Sequence, residues 1–171
     1  MYSGLGLNPV LQLAPIVNVG FDYYHWNVWL SASYSLAHSE ELYVYNTKNE
    51  LLGSHKYSYL RLGLNVGYEW EPWEKISPLF SVMPQAEIAW DQVYSSQKDV
   101  SANGFTAYNV VVGARLAFKT NNRRFCFFAT PGYTLNIGSN PKSNFEQITN
   151  IDDLKSLKPS FDLQVGVLYY F

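Results

Sequence analysis

Ser160-Phe161-Asp162-Leu163-Gln164-Val165-Gly166-Val167-Leu168-Tyr169-Tyr170-Phe171 closes the chain with a period of two. Phe161, Leu163, Val165, Val167, Tyr169 and Phe171 fall on one face of an extended strand, while Asp162, Gln164 and Gly166 fall on the other. One face is oily, the other polar and small as far as Gly166. That pattern fixes the secondary structure of the segment but not which face meets the solvent.

The same period recurs through the chain. From Tyr59 to Trp70, Leu60, Leu62, Leu64, Val66, Tyr68 and Trp70 alternate with Tyr59, Arg61, Gly63, Asn65, Gly67 and Glu69. From Tyr108 to Lys119, Tyr108, Val110, Val112, Ala114, Leu116 and Phe118 alternate with Asn109, Val111, Gly113, Arg115, Ala117 and Lys119. Phe125 to Gly138 repeats the pattern, and Leu79 to Tyr94, Gln12 to Tyr24 and Val28 to Leu36 follow it less cleanly. Met1 to Leu7 reads as a shortened first strand. Helical spacing is scarce throughout.

The connections alternate in length. His25 to Asn27, Glu71 to Ser77 and Thr120 to Arg124 are short, whereas Ala37 to Lys56, Ser95 to Gly104 and Ser139 to Pro159 are long and polar. With Asn8-Pro9 as a further tight connection, the strands number eight, with every long loop at one end. The predicted fold is all-β: a single domain over 1–171 forming an eight-stranded antiparallel up-and-down transmembrane β-barrel.

In these features the chain resembles the small OmpA/OmpX-type β-barrels of Gram-negative outer membranes. Alternating apolar residues that end on an aromatic, here Val167, Tyr169 and Phe171, match the terminal strand read by the barrel-assembly machinery. The resemblance implies a bacterial outer-membrane location and outer-membrane lipid and that machinery as partners. No signal peptide precedes Met1, so the sequence reads as a mature chain or an N-terminally incomplete frame.

Composition narrows the function classes. A formal charge of −2, with Lys and Arg sparse, argues against nucleic acid, which demands a basic face. Cys126 is the only cysteine, so no intramolecular disulfide or multi-cysteine metal site can form. There is no run of about 18 apolar residues, which excludes a membrane-spanning helix; barrel strands need only about 9 to 11 residues. Aromatic residues make up 17% of the chain. They gather near strand ends, with Tyr23, Trp26, Tyr68, Trp70, Phe118 and Phe125 at one end and Tyr34, Trp90 and Tyr108 at the other, as two interfacial girdles would.

Facing follows from residue size. The polar face carries Ser31, Ser33, Gly63, Gly67, Gly113 and Gly166, which suit a crowded lumen, and the bulk of the other face exceeds what an eight-stranded interior holds. The apolar face is therefore expected to meet lipid, against a lipocalin-like soluble carrier in which it would point inward. Asp22, Arg61, Glu69, Glu87, Asp91, Arg115 and Asp162 then lie inside. Charges confined there demand partners. The expected network has Arg61 and Arg115 bridging Glu87, Asp162 and Asp22, with Gln85, Gln164, Asn65 and Asn109 completing it. Pro15, Pro84 and Pro131 fall within strands on the apolar face and predict β-bulges or local breaks.

Chemistry finds little support. His38, Ser39 and Glu40 adjoin in a loop, and a triad requires convergence in space rather than adjacency. Neither His38 with Ser39 nor His55 with Ser58 reproduces the spacing of outer-membrane lipid A deacylases. No catalytic residues, metal site or cofactor are expected. The reading is a structural or surface-binding membrane protein whose long loops, 37–56 and 139–159, meet an extracellular protein or surface ligand. Leu42 to Tyr45 in the first could extend a hairpin above the membrane, and Ile151 to Lys158 in the second reads as a helical turn or two. A lipid-modifying enzyme, a narrow porin-like channel and a soluble carrier are the alternatives.

Overall fold

A computed structural model describes residues 1–9, 14–34, 40–45, 51–71, 79–95, 105–141 and 159–171. Nine strands occur among them: β1 (Tyr2–Asn8), β2 (Ala14–Tyr23), β3 (Trp26–Tyr34), β4 (Glu40–Tyr45), β5 (Leu51–Tyr68), β6 (Phe80–Ser95), β7 (Phe105–Lys119), β8 (Phe125–Pro141) and β9 (Ser160–Tyr170). Every pairing is antiparallel.

The nine strands make eight staves. β3 and β4 both pair with β5, Tyr34 opposite Leu60 and Glu40 opposite Tyr57, so β4 continues the line of β3 instead of adding a stave. The sheet closes where β1 pairs with β9, Tyr2 opposite Tyr170 and Leu7 opposite Val165. The fold is thus a closed, eight-stranded, antiparallel up-and-down β-barrel. Closure leaves no edge inside the barrel wall, which lets every backbone group there find a partner.

The start of β1 and the end of β9 share one rim, called lower here, with the turns at Tyr24-His25 and 120–124. Tyr24 and Arg123 adopt left-handed φ of 55° and 54° in these two turns. The first turn is two residues long, closed by the pair Tyr23 with Trp26, so Trp26 and Asn27 belong to β3 and not to the connection. At the opposite rim the sequence-based loop 37–56 is largely strand, comprising β4 and the start of β5. Residues 72–78, 35–39 and 142–158, with the anticipated helical turn at 151–158, lie outside the described residues.

Alternation is realised as an inverted barrel. On β5, Arg61, Gly63, Asn65 and Gly67 are buried, while Leu62, Leu64, Val66 and Tyr68 are exposed. The inward face of β6 carries Ser81, Met83, Gln85, Glu87, Ala89 and Asp91, and its outward face Pro84, Ile88 and Trp90. Polar side chains dominate the buried set, and exposed positions include Leu5 at 69%, Leu30 at 63% and Ile88 at 63%.

The three prolines produce breaks without bulges. The β7–β8 ladder skips from Gly113–Gly132 to Leu116–Ala129 in unchanged register around Pro131, whose carbonyl is turned toward β7. The β5–β6 ladder runs to Gly67–Gln85 and resumes only at the bridge Trp70–Val82, stepping over Pro84. Pro15 sits just past the last β2–β3 pair, Ile16 with Ser33. Each proline stays in register with its other neighbour, Pro15 with Leu7, Pro84 with Ala114 and Pro131 with Leu163, so each ring interrupts the sheet on one side only. The register shift in this wall falls elsewhere, between Tyr108 and Asn109.

Candidate functional site: the barrel interior

In a period-two wall, inward residues of neighbouring strands meet wherever the register sets them opposite. Arg61 of β5 and Asp91 of β6 are such a pair. Arg61 donates Nε to Asp91 Oδ1 at 2.8 Å and Nη2 to Oδ2 at 2.9 Å, a two-pronged contact with both side chains at most 5% exposed. Asn109 Nδ2 donates to the same carboxylate at 2.8 Å, and Asn136 Nδ2 donates to Asn109 Oδ1 at 3.0 Å. One chain of hydrogen bonds therefore crosses β5, β6, β7 and β8.

Two smaller groups share the upper lumen. Asn65 Nδ2 donates to Ser31 Oγ at 3.1 Å, and that hydroxyl donates to Glu87 Oε1 at 3.3 Å. Gly63 leaves this space open, since a Cβ there would collide with Glu87 Oε1 and Ser31 Oγ. On the other side Asp162 accepts from Asn8 Nδ2 and, at 3.3 Å, from Gln164 Nε2.

The lower lumen is built differently. Tyr2, Trp29, Met83, Ala117, Cys126, Phe128 and Leu168 pack together, with Tyr170 against them. Within this layer the Arg115 guanidinium lies 4.3 Å from the Trp29 ring centroid and 4.6 Å from that of Phe128, a cation–π sandwich. Beneath it, Lys119 Nζ bridges Glu69 at 2.7 Å and Glu71 at 3.2 Å, and Ser81 Oγ donates to Glu69 at 2.6 Å. These contacts tie the end of β7 to the β5–β6 connection.

The expected network is thus redistributed. Arg61 pairs with Asp91, not with Glu87 or Asp162, because register sets Arg61 opposite Asp91 and places Asn65 opposite Glu87. Arg115 makes no ion pair among the described residues; it lies on the aromatic layer. Asp22 does not join the interior. It lies near the lower rim, 41% exposed and 3.6 Å from the amino group of Met1. Gln85 is buried without the expected contacts, its Oε1 lacking a protein partner among the described residues. Sequence reasoning missed Trp29, Phe128, Met83 and Lys119 as interior-filling residues, although inward parity marked each of them.

Several buried polar atoms have no protein partner among the described residues: Arg61 Nη1, Glu87 Oε2, both amide atoms of Asn18, and Arg115 Nε and Nη2. Those of Arg61, Glu87 and Asn18 face the polar part of the lumen, where ordered water is the usual partner of such groups. No group of three or more His, Cys, Asp or Glu with metal-binding geometry occurs among the described residues. His38 and Ser39 lie outside them. What the interior does chemically is hold fixed charges in hydrogen-bonded pairs above an apolar and aromatic floor.

No protein-family model matches the chain, and no curated protein sequence does. Among solved structures, a major outer membrane protein from Thermus thermophilus is similar in fold, with a TM-score of 0.58 at 14% identity, covering 99% of this chain and 97% of that one. At that identity the likeness bears on the fold, and it agrees with the closed barrel derived above.

Proposed function

We propose that this chain is an integral outer-membrane β-barrel protein with a packed, water-bearing interior and a surface-binding role. The observation that carries the reading is the inversion of the barrel: the outward apolar band, from Leu5 through Leu30 and Leu64 to Ile88, is exposed while Arg61, Glu87, Asp91 and Asp162 are buried. Such a band in water would form an apolar patch far beyond what a soluble monomer carries. Against hydrocarbon it is the expected surface of a barrel. The same facing disfavours a soluble carrier, and the filled lower lumen favours a closed interior over a channel. The fold shared with an outer membrane protein supports the location.

Surface binding follows from wall height. β5, β6, β7 and β8 run 15 to 18 residues, against 7 to 11 for β1, β2, β3 and β9. About 9 to 11 suffice to cross the membrane. The excess stands above the upper rim, and β4, paired only with β5 among the described residues, offers an edge to which an extended segment of an extracellular partner adds as a strand. At the lower rim, Val167, Tyr169 and Phe171 serve as the assembly signal. Tyr169 packs edge-on against Phe171, with centroids 5.2 Å apart, and Phe171 is 80% exposed.

Refolding into bilayers with bromine on the acyl chains tests the membrane reading through tryptophan emission. Trp26, Trp70 and Trp90 are exposed on the outer wall and Trp29 is buried in the lumen. Strong quenching with a residual component that disappears in Trp29→Phe is the expected result. A folded, β-rich protein whose emission is unquenched would overturn it.

A further inference from the structure

The outer wall is uneven at one place. Val17, Ala32, Leu62, Trp90 and Tyr108 stand side by side across β2, β3, β5, β6 and β7, each opposite the next in register. Directly beneath runs a second row in which Leu30, Leu64 and Ile88 are likewise opposite one another. Between the rows lies an apolar groove of about 540 Å³, floored where Ala32 offers only a methyl group among bulky neighbours. We propose that this groove is a binding site for one acyl chain of an outer-leaflet membrane lipid.

Length and slope identify the occupant. Five neighbouring strands are separated by four spacings of about 4.8 Å, so the groove is about 19 Å long. Rows perpendicular to strands tilted by about 45° descend at a similar angle, which gives a vertical drop of about 13 Å. One leaflet of the hydrocarbon core is about 15 Å deep. The high end is at β7: followed onward from Val17 through Leu5, Val167 and Phe127, the same row returns to β7 at Phe118, ten residues below Tyr108. An amphipathic rim of Trp90 and Tyr108 therefore stands at the upper interface, where a headgroup lies, and the groove runs from there toward the bilayer centre. A second barrel would present a convex wall to this depression, while a single extended chain follows it.

The proposal rests on the membrane reading, and the test separates the two. The protein is refolded into vesicles of palmitoyl-oleoyl phosphatidylcholine, transferred to detergent and weighed by native mass spectrometry. One retained phosphatidylcholine per barrel is expected for the wild type, reduced at least tenfold in Ala32→Trp, which fills the groove from the lipid side, and unchanged in Leu116→Trp on a different part of the outer wall. Ala32→Phe serves where the tryptophan variant does not fold. No retained lipid in the wild type, equal retention in the filled variants, or equal loss in the Leu116 control would overturn the groove. A chain that folds without entering the vesicles would overturn the membrane reading instead.

Discussion

Two arginines of the same interior illustrate how context sets the worth of a charge. Arg61 and Asp91 satisfy each other through two hydrogen bonds, so removing either partner strands a buried charge. Arg61→Met or Asp91→Asn is expected to destabilise the barrel by about 3–5 kcal/mol, and the double variant Arg61→Met/Asp91→Leu to regain most of that loss. Urea titration in vesicles, followed by the gel shift between folded and unfolded forms, reads each value. Arg115 rests on the Trp29 and Phe128 rings, so Arg115→Met orphans no carboxylate among the described residues and is expected to cost less than about 2 kcal/mol. If Arg115→Met proves as costly as Arg61→Met, a charge partner for Arg115 outside the described residues would have to be sought. Gly63 is the opposite case, a side chain that has to be absent. Gly63→Ala drives a methyl into Glu87 and Ser31, with an expected loss of about 1–3 kcal/mol in the same titration.

At the scale of elements, prolines and turns show how the wall tolerates local misfits. Pro131 interrupts the β7–β8 ladder without shifting its register. Restoring an N–H there completes the ladder, so Pro131→Ala is expected to stabilise the barrel by about 1 kcal/mol, seen as a raised urea midpoint. A drop in stability would mean that the gap is itself required. The period of two was readable in the sequence because it is local: the side-chain sequence of β5 displays its own facing. The ends of elements were less readable. Trp26 and Asn27 were placed in a turn, yet Tyr24 at φ 55° turns the chain one residue earlier than its bulk would suggest, because the cross-strand pair Tyr23–Trp26 closes the hairpin.

The whole molecule is a barrel with one tall side. The wall passes from β3 directly to β5, from Tyr34–Leu60 down to Trp26–Tyr68, and β4 contributes nothing to that pairing. Replacing residues 40–56 with a short Gly-Ser turn is therefore expected to leave the folded gel mobility and the vesicle protection of the barrel unchanged while removing surface binding by the β4 edge. Loss of the folded form would show that the hairpin above the rim supports the wall below. By itself the sequence determined the eight staves of the barrel and which residues share a face, since alternation and turn chemistry act between near neighbours. It also indicated that the bulky face lies outside, because an eight-stranded interior is too small to hold it. Tertiary structure decided which inward residues meet. Strand register is set by the closure of the whole sheet, so only the closed barrel placed Arg61 against Asp91, left Asp22 at the rim, seated Arg115 between two rings, and aligned Ala32 with Leu62 and Trp90 to leave a groove in the outer wall.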